Sequence, residues 1–525
     1  MADDLDHLIV SRPETLSQGI QLTWLYTLVS GAVDHGRMDI YLGDLLTRDL
    51  DNGRLTEEES LRLLQALWRM IANRDLVFSS RIMLGGRGRR NPAKADRFAL
   101  LAMEATRTVL ESTPQLCLRV HRGMSPGLLA KAFEVIGEGR TFPILYNDDV
   151  IIPEVARVFD VPEEDAEHYF PYGDGEYALD HRSFGSPSCR LNLLKTLEVT
   201  LHNGRDPRTG KSLGLALGEF RDFRDFEELF AAFGRQMAYF AGKLARRHVL
   251  EFEVENDSVA LLYPSMLYNG CLENGHSVVD RGPVYTGGVV ESHGLINAAD
   301  SLTAIRHLVY ENGLMTPDEM LAGLEGRTED AAARVQLMRA APKFGHDDEE
   351  ADAMVCRVSD QAAMAVRQQA EEVDLDFFLL VHITNRGNAT AGKDCEASAD
   401  GRPQGAPLAA QITPAAGADH RQIVGLLNSL AAVESSVHTG YIHHLRFDRD
   451  YFQKNRPKME ALLDGYFESG GSQVMVSVVS RSELEAARAE PARHPDLIVR
   501  VGRFSARFIE LPPEIQREMI DWAAD

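Results

Sequence analysis

The stretch Tyr172-Gly173-Asp174-Gly175-Glu176-Tyr177-Ala178-Leu179-Asp180-His181-Arg182 sets three carboxylates, an imidazole and a guanidinium around two glycines. Glycine lets a backbone turn tightly or approach another group closely. Carboxylates two residues apart, such as Asp174 and Glu176, share one face of an extended segment. Inside a pocket, burial raises a carboxylate pKa towards the working pH, which is what general acid–base chemistry needs. The competing reading is a solvated acidic loop, the common fate of polar loops.

Working outward, Cys189-Arg-Leu-Asn192-Leu-Leu-Lys195 is expected to open a helix over 190–203, and a second helix is expected over 226–248. Upstream, Gln115-Leu-Cys-Leu-Arg119-Val-His121 alternates like a strand, and residues 142–149 read as an apolar strand entering an acidic turn. A helix over 125–137 lies between them, a βαβ-type unit. Further out, 14–35 reads as a helix broken by Gly36-Arg-Met-Asp-Ile-Tyr-Leu42, and Thr56-Glu-Glu-Glu59 has the form of a capping box. Residues 285–289 read as pocket-wall turns, 317–340 and 348–372 as helices, and 390–416 as an extended loop. A strand is expected at 473–479 and another at 497–501, with a closing helix over 512–524. Repeating helix–strand units predict an α/β fold, and no repeat or linker divides the chain cleanly.

Composition narrows the classes. The 525 residues are 44% hydrophobic and 26% charged, with a formal net charge of −24. Such a surface disfavours nucleic acid and anionic membranes as partners. Five cysteines at 117, 189, 271, 356 and 395 form no Cys-x-x-Cys pair, so neither a disulfide framework nor a zinc ribbon is expected. The chain has no apolar run long enough to span a membrane, and a cytoplasmic location is the expectation.

Several phrases, in order, resemble the glycyl radical enzymes, the superfamily of pyruvate formate-lyase and glycerol dehydratase. They include Pro143-Ile-Leu-Tyr-Asn-Asp-Asp-Val, Leu191-Asn-Leu-Leu-Lys-Thr-Leu-Glu198, Ala299-Asp-Ser-Leu-Thr-Ala-Ile-Arg306 and Pro342-Lys-Phe-Gly-His-Asp-Asp348. Asp400-Gly-Arg-Pro403, Asn428-Ser-Leu and Leu497-Ile-Val-Arg-Val-Gly-Arg-Phe-Ser505 continue the match. The resemblance implies a ten-stranded α/β barrel surrounded by helices, as one domain over 1–525. It also implies a shortened N-terminal helical region, a glycyl-radical-like segment at 495–525 and a homodimer.

The chain departs from the family where the radical chemistry sits. The family's first loop reads Gly-Cys-x-Glu, and here Gly173-Asp174-Gly175-Glu176 puts Asp174 at the thiyl cysteine. Its second loop reads Arg-Val-x-Gly-Tyr-Ser, and here Arg500-Val-Gly502-Arg503-Phe-Ser505 puts Arg503 at the radical glycine. A carboxylate cannot relay a hydrogen atom as a thiol does, and an arginine α-carbon lacks glycine's second hydrogen. The expectation is therefore a non-radical acid–base lyase, dehydratase or isomerase acting on a small anionic metabolite without a cofactor. Asp174, Glu176 and His181 are the candidate catalytic groups, and Arg119, His121 and Arg503 the candidate substrate-binding groups. The alternatives are a catalytically inactive scaffold or regulatory partner, and a true radical lyase using Gly502 after a register slip. A metal held by Asp174, Glu176 and His181, or by His438 with His443 or His444, is the weaker alternative, since no tight ligand motif is present. Cys189 reads as a small core residue at a helix start.

Overall fold

The computed structural model describes residues 2–522 apart from 77–78, 174, 260, 383–386, 411, 416–422, 434–439, 442 and 502–503. The strands, in chain order, are β1 Arg81–Gly85, β2 Gln115–Val120, β3 Ile144–Asn147, β4 Tyr169–Tyr172 and β5 Glu176–Leu179. There follow β6 Ser183–Asn192, β7 Tyr285–His293, β8 Phe377–His382 and β9 Gly440–Tyr441. The last four are β10 His444–Phe447, β11 Gln473–Val478, β12 Ile498–Val501 and β13 Phe504–Arg507. Two compact units divide the chain: residues 1–156, 162–173 and 443–525 form the first, and 157–161 with 174–442 the second.

In the first unit the sheet order is β1-β2-β3-β11-β10. All neighbours run parallel except β3 and β11. Register fixes what each face carries. Ile82, Leu116, Leu118, Leu145 and Val474 share one face, which is aliphatic apart from Asn147 at the end of β3. The helices Pro92–Thr108 and Pro126–Gly137 pack against this sheet and supply the cover such a face requires. The opposite face carries Arg81, Gln115, Cys117, Arg119, Tyr146 and Gln473. Strands buried on both faces read as continuous runs in sequence, which is why β1 escaped the pattern reading.

In the second unit β6-β7-β8-β9 form an all-parallel sheet. One face is covered by the helices Phe226–Ser258 and Glu349–Arg367. A Cβ at Gly288 would lie 2.4 Å from the His248 ring, and the Ser359 hydroxyl lies 2.9 Å from Nε2 of His382. The other face presents Gly287, Val289, Glu291 and His293 of β7. Strand β5 touches both edge strands of this sheet, β6 and β9, and the face turned away from the helices is its inner face.

The mixed α/β architecture agrees with the repeating units seen in sequence. The Thr56 capping box forms, with Thr56 Oγ1 accepting from the Glu59 N–H at 3.2 Å. Three local expectations are corrected. The segment 183–192 is strand, and Cys189 lies within β6, fully buried; the helix begins only at Leu193, where Asn192 Oδ1 caps Lys195 N–H at 3.0 Å. Residues 285–289 belong to β7, not to turns. The break after Ser30 spans only 31–37, because a new helix, Met38–Asp51, starts inside the stretch read as a breaker.

Four of the family-like phrases meet in the second unit as one buried polar network. Asn297 Nδ2 donates to Asp400 Oδ2 at 2.6 Å, and the Asp400 N–H donates to Ser301 Oγ at 3.1 Å. The Phe344 N–H donates to Asp300 Oδ1 at 3.0 Å. The Asp347 N–H donates to Ser429 Oγ, which in turn donates to Asp352 Oδ2 at 2.9 Å. Loops of widely separated origin are thereby tied together through buried carboxylates, each of which needs such partners to stay inside.

Candidate functional site

Glu176 opens β5 and is fully buried, 0% exposed. Its strand touches both edges of the second unit's sheet, whose inner face carries further polar groups. Those groups come from the carboxyl end of the parallel strands, where α/β sheets bind ligands. Glu291 and His293 alternate on β7, and their register partners on β6 are Arg190 and Asn192. Glu291 is 7% exposed, and its Oε2 accepts from Arg190 Nε at 2.9 Å. His293 is 4% exposed, and Nδ1 lies 2.8 Å from Asn388 Oδ1. Burial holds the His293 pKa below its ordinary value. The sequence reading missed this pair because Gly287-Gly288 suggested a turn; the available signal was the alternation Val289-Val-Glu291-Ser-His293.

Of the other catalytic candidates, one is described, and it falls elsewhere. Asp174 lies outside the described residues. His181 has a left-handed backbone, φ 58°, and its side chain is 63% exposed. Its ring faces the Leu267 carbonyl at 3.2 Å and Asp180 at 3.6 Å, which is a surface arrangement. The metal alternatives gain nothing: His438 is outside the described residues, and His444 Nε2 lies 2.8 Å from Ser477 Oγ. Among the described residues His307, Glu311 and Glu350 have ligand-like spacing, but Arg306 Nε already occupies Glu311 at 2.7 Å.

In the first unit, the substrate-binding candidates Arg119 and His121 are placed differently from one another. Arg119 is fully buried, and its donors are taken by the protein itself. Nε and Nη2 fork onto Asp148 at 2.7 and 2.9 Å, and Nη1 donates to the carbonyls of Glu167 and Tyr169. The guanidinium also lies 4.0 Å from the centre of the Tyr169 ring. Burial opposes its charge, but Asp148 more than compensates and holds the pKa above the ordinary arginine value. His121 lies beyond the end of β2, and its Nδ1 meets the neighbouring Arg122 carbonyl at 2.8 Å. Arg503 is outside the described residues.

Two other arginines share the first unit's interior. Arg81 donates to the Gly173 carbonyl, immediately before Asp174 in the chain. Arg500 donates to the Thr141 carbonyl and lies 4.7 Å from the centre of the Phe142 ring. Burial lowers the Arg500 pKa to about 10, and the neighbouring Arg81 charge acts in the same direction. Burial pushes the Cys117 thiol beside them up to about 12, so it is a neutral thiol at physiological pH.

The chain matches the Pyruvate formate lyase-like family over residues 1–379 and the Glycine radical family over 408–509. It is 25% identical to the (2S)-3-sulfopropanediol dehydratase of Klebsiella oxytoca over 97% of this chain and 65% of that protein. It is 26% identical to the trans-4-hydroxy-L-proline dehydratase of Clostridioides difficile over 99% of this chain and 69% of that protein. The crystal structure of the hydroxyproline dehydratase from the same organism, with its substrate bound, superposes with a TM-score of 0.87 at 24% identity, covering 99% of this chain and 69% of that one. The chain thus spans about two thirds of the length of these relatives.

Proposed function

The chain belongs to the pyruvate formate lyase-like family of glycyl radical enzymes, and from that premise we propose that it has left radical chemistry for an oxygen-tolerant acid–base reaction. The reaction class is lyase, dehydratase or isomerase, and the substrate is a small anionic metabolite. Asp174 stands in sequence where the family keeps its thiol, and Arg503 where it keeps its radical glycine. The observation that carries the reading is the complete burial of Glu176 on the strand that touches both edges of the second unit's sheet. A carboxyl removed from bulk water is the kind of group that general acid catalysis uses. The names of relatives point the same way in substrate class, with a sulfonated diol, isethionate and a hydroxylated amino acid among them.

The test is Glu176→Gln, assayed in air against a panel of hydroxylated carboxylates and sulfonates. The amide keeps the shape and removes the titrating proton, so turnover is expected to fall by about 10² or more with folding intact. A Glu176→Gln protein that turns over like the parent ends the acid–base assignment.

A further inference from the structure

We propose that His293, held by Asn388, is the proton acceptor of this chemistry, and that Arg190, steadied by Glu291, binds the anionic group of the substrate. The proposal rests on the acid–base reading above and adds its second half.

Two other buried histidines of the second unit are accounted for by packing. His382 is clamped on both ring nitrogens, by Ser292 at 2.6 Å and Ser359 at 2.9 Å. His248 is wedged on the helix-covered side of the sheet, with Nε2 3.1 Å from the Gly287 carbonyl. His293 differs in place and in bonding. It ends β7 on the inner face, at the carboxyl end of a parallel sheet. Only Nδ1 is engaged, and Nε2 meets no partner among the described residues. An amide oxygen can only accept, so Nδ1 carries the hydrogen and Nε2 keeps its lone pair. Burial depresses the ring's pKa, so the neutral, proton-accepting form prevails at neutral pH.

Arg190 is bonded in a complementary way. Glu291 takes Nε, while the terminal nitrogens meet no partner among the described residues and the side chain is 65% exposed. A guanidinium held by one edge presents the other edge to a carboxylate or sulfonate in fork geometry. The substrate class that uses all three groups is a β-hydroxy carboxylate or sulfonate. Nε2 of His293 takes the proton from the carbon next to the anionic group. The electron pair of that C–H bond becomes the new C=C bond. The β-hydroxyl departs with its bonding pair and takes the Glu176 proton, leaving as water. The imidazolium then returns its proton to the Glu176 carboxylate through solvent, so no oxidant or reductant is needed.

The experiment is two-bond ¹H–¹⁵N NMR on the full chain labelled at histidine, with His293 identified by the signals lost in His293→Gln. At pH 7 the expected spectrum has hydrogen on Nδ1 and none on Nε2. Asn388→Asp, which places a negative charge beside Nδ1–H, is expected to raise the pKa read from the same signals. Malate, a β-hydroxy dicarboxylate, is expected to move the Nε2 signal in the parent and in Glu176→Gln, and not in Arg190→Ala. Hydrogen on Nε2 at neutral pH, or a malate titration that leaves His293 unmoved, overturns the proposal. Because none of these readouts needs turnover, they separate failure here from failure of the Glu176 assignment, which rests on kinetics.

Discussion

At the scale of the residue, partners decide what a charged side chain does. Arg119 had the position of a substrate anchor on an alternating strand, yet Asp148 and two carbonyls occupy it. Removing one partner of a fully buried ion pair leaves the other charge stranded, at a cost of about 3–5 kcal/mol. Arg119→Ala is therefore expected to lower the unfolding free energy, read from urea denaturation, by an amount in that range. Arg119→Lys should recover little of it, since an ammonium cannot fork onto a carboxylate. Asp300 gives a pH-dependent counterpart. Burial raises its pKa from 3.8 to about 8, so the folded protein holds a proton that the unfolded chain has released. The stability this contributes is full below the unfolded value and is lost as pH rises through the folded one. Denaturation midpoints should fall between about pH 5 and pH 8, and Asp300→Asn should flatten that slope. An equally steep slope in the asparagine variant would exclude Asp300 as its source.

At the scale of the element, close backbone approach shapes the second unit's sheet. A Cβ at Gly287 would sit 2.1 Å from the Phe377 carbonyl oxygen, a clash with backbone that no rotamer change relieves. Gly287→Ala is expected to cost about 1–3 kcal/mol, the range for overpacking, by forcing β7 away from β8. Amide exchange should speed up in Val289–Val290 and in Leu379–Leu380 and stay unchanged in the first unit's β1 and β2. Uniform protection across both sheets would contradict this. The same glycines disguised β7 as a turn in sequence, so one structural requirement both built the strand and hid it.

At the scale of the whole molecule, the family's fold persists, and the proposal is that its radical chemistry does not. Anaerobic treatment with a radical-SAM activase is expected to give no glycyl doublet in electron paramagnetic resonance. A doublet that disappears in Gly502→Ala would revive the radical lyase reading. Among the described residues no helix is long and apolar enough to cross a membrane.

The sequence by itself determined the features written in local or collinear signals. The Thr56 capping box is one, needing only residues three apart. The strand at β2 with its following helix is another, and so is the family, since its phrases stand in order along the chain. Tertiary structure decided the occupancy and exposure of the polar groups. Arg119 finds Asp148 across 29 residues and the Tyr169 carbonyl across 50, distances over which no periodicity carries information. His181 and His293 look alike as letters beside acidic neighbours. One is turned out by a left-handed backbone, while the other is set into the inner face by strand register and fixed by an asparagine 95 residues away. A side chain's chemistry depends on its desolvation and its partners, and both are created only when distant segments pack.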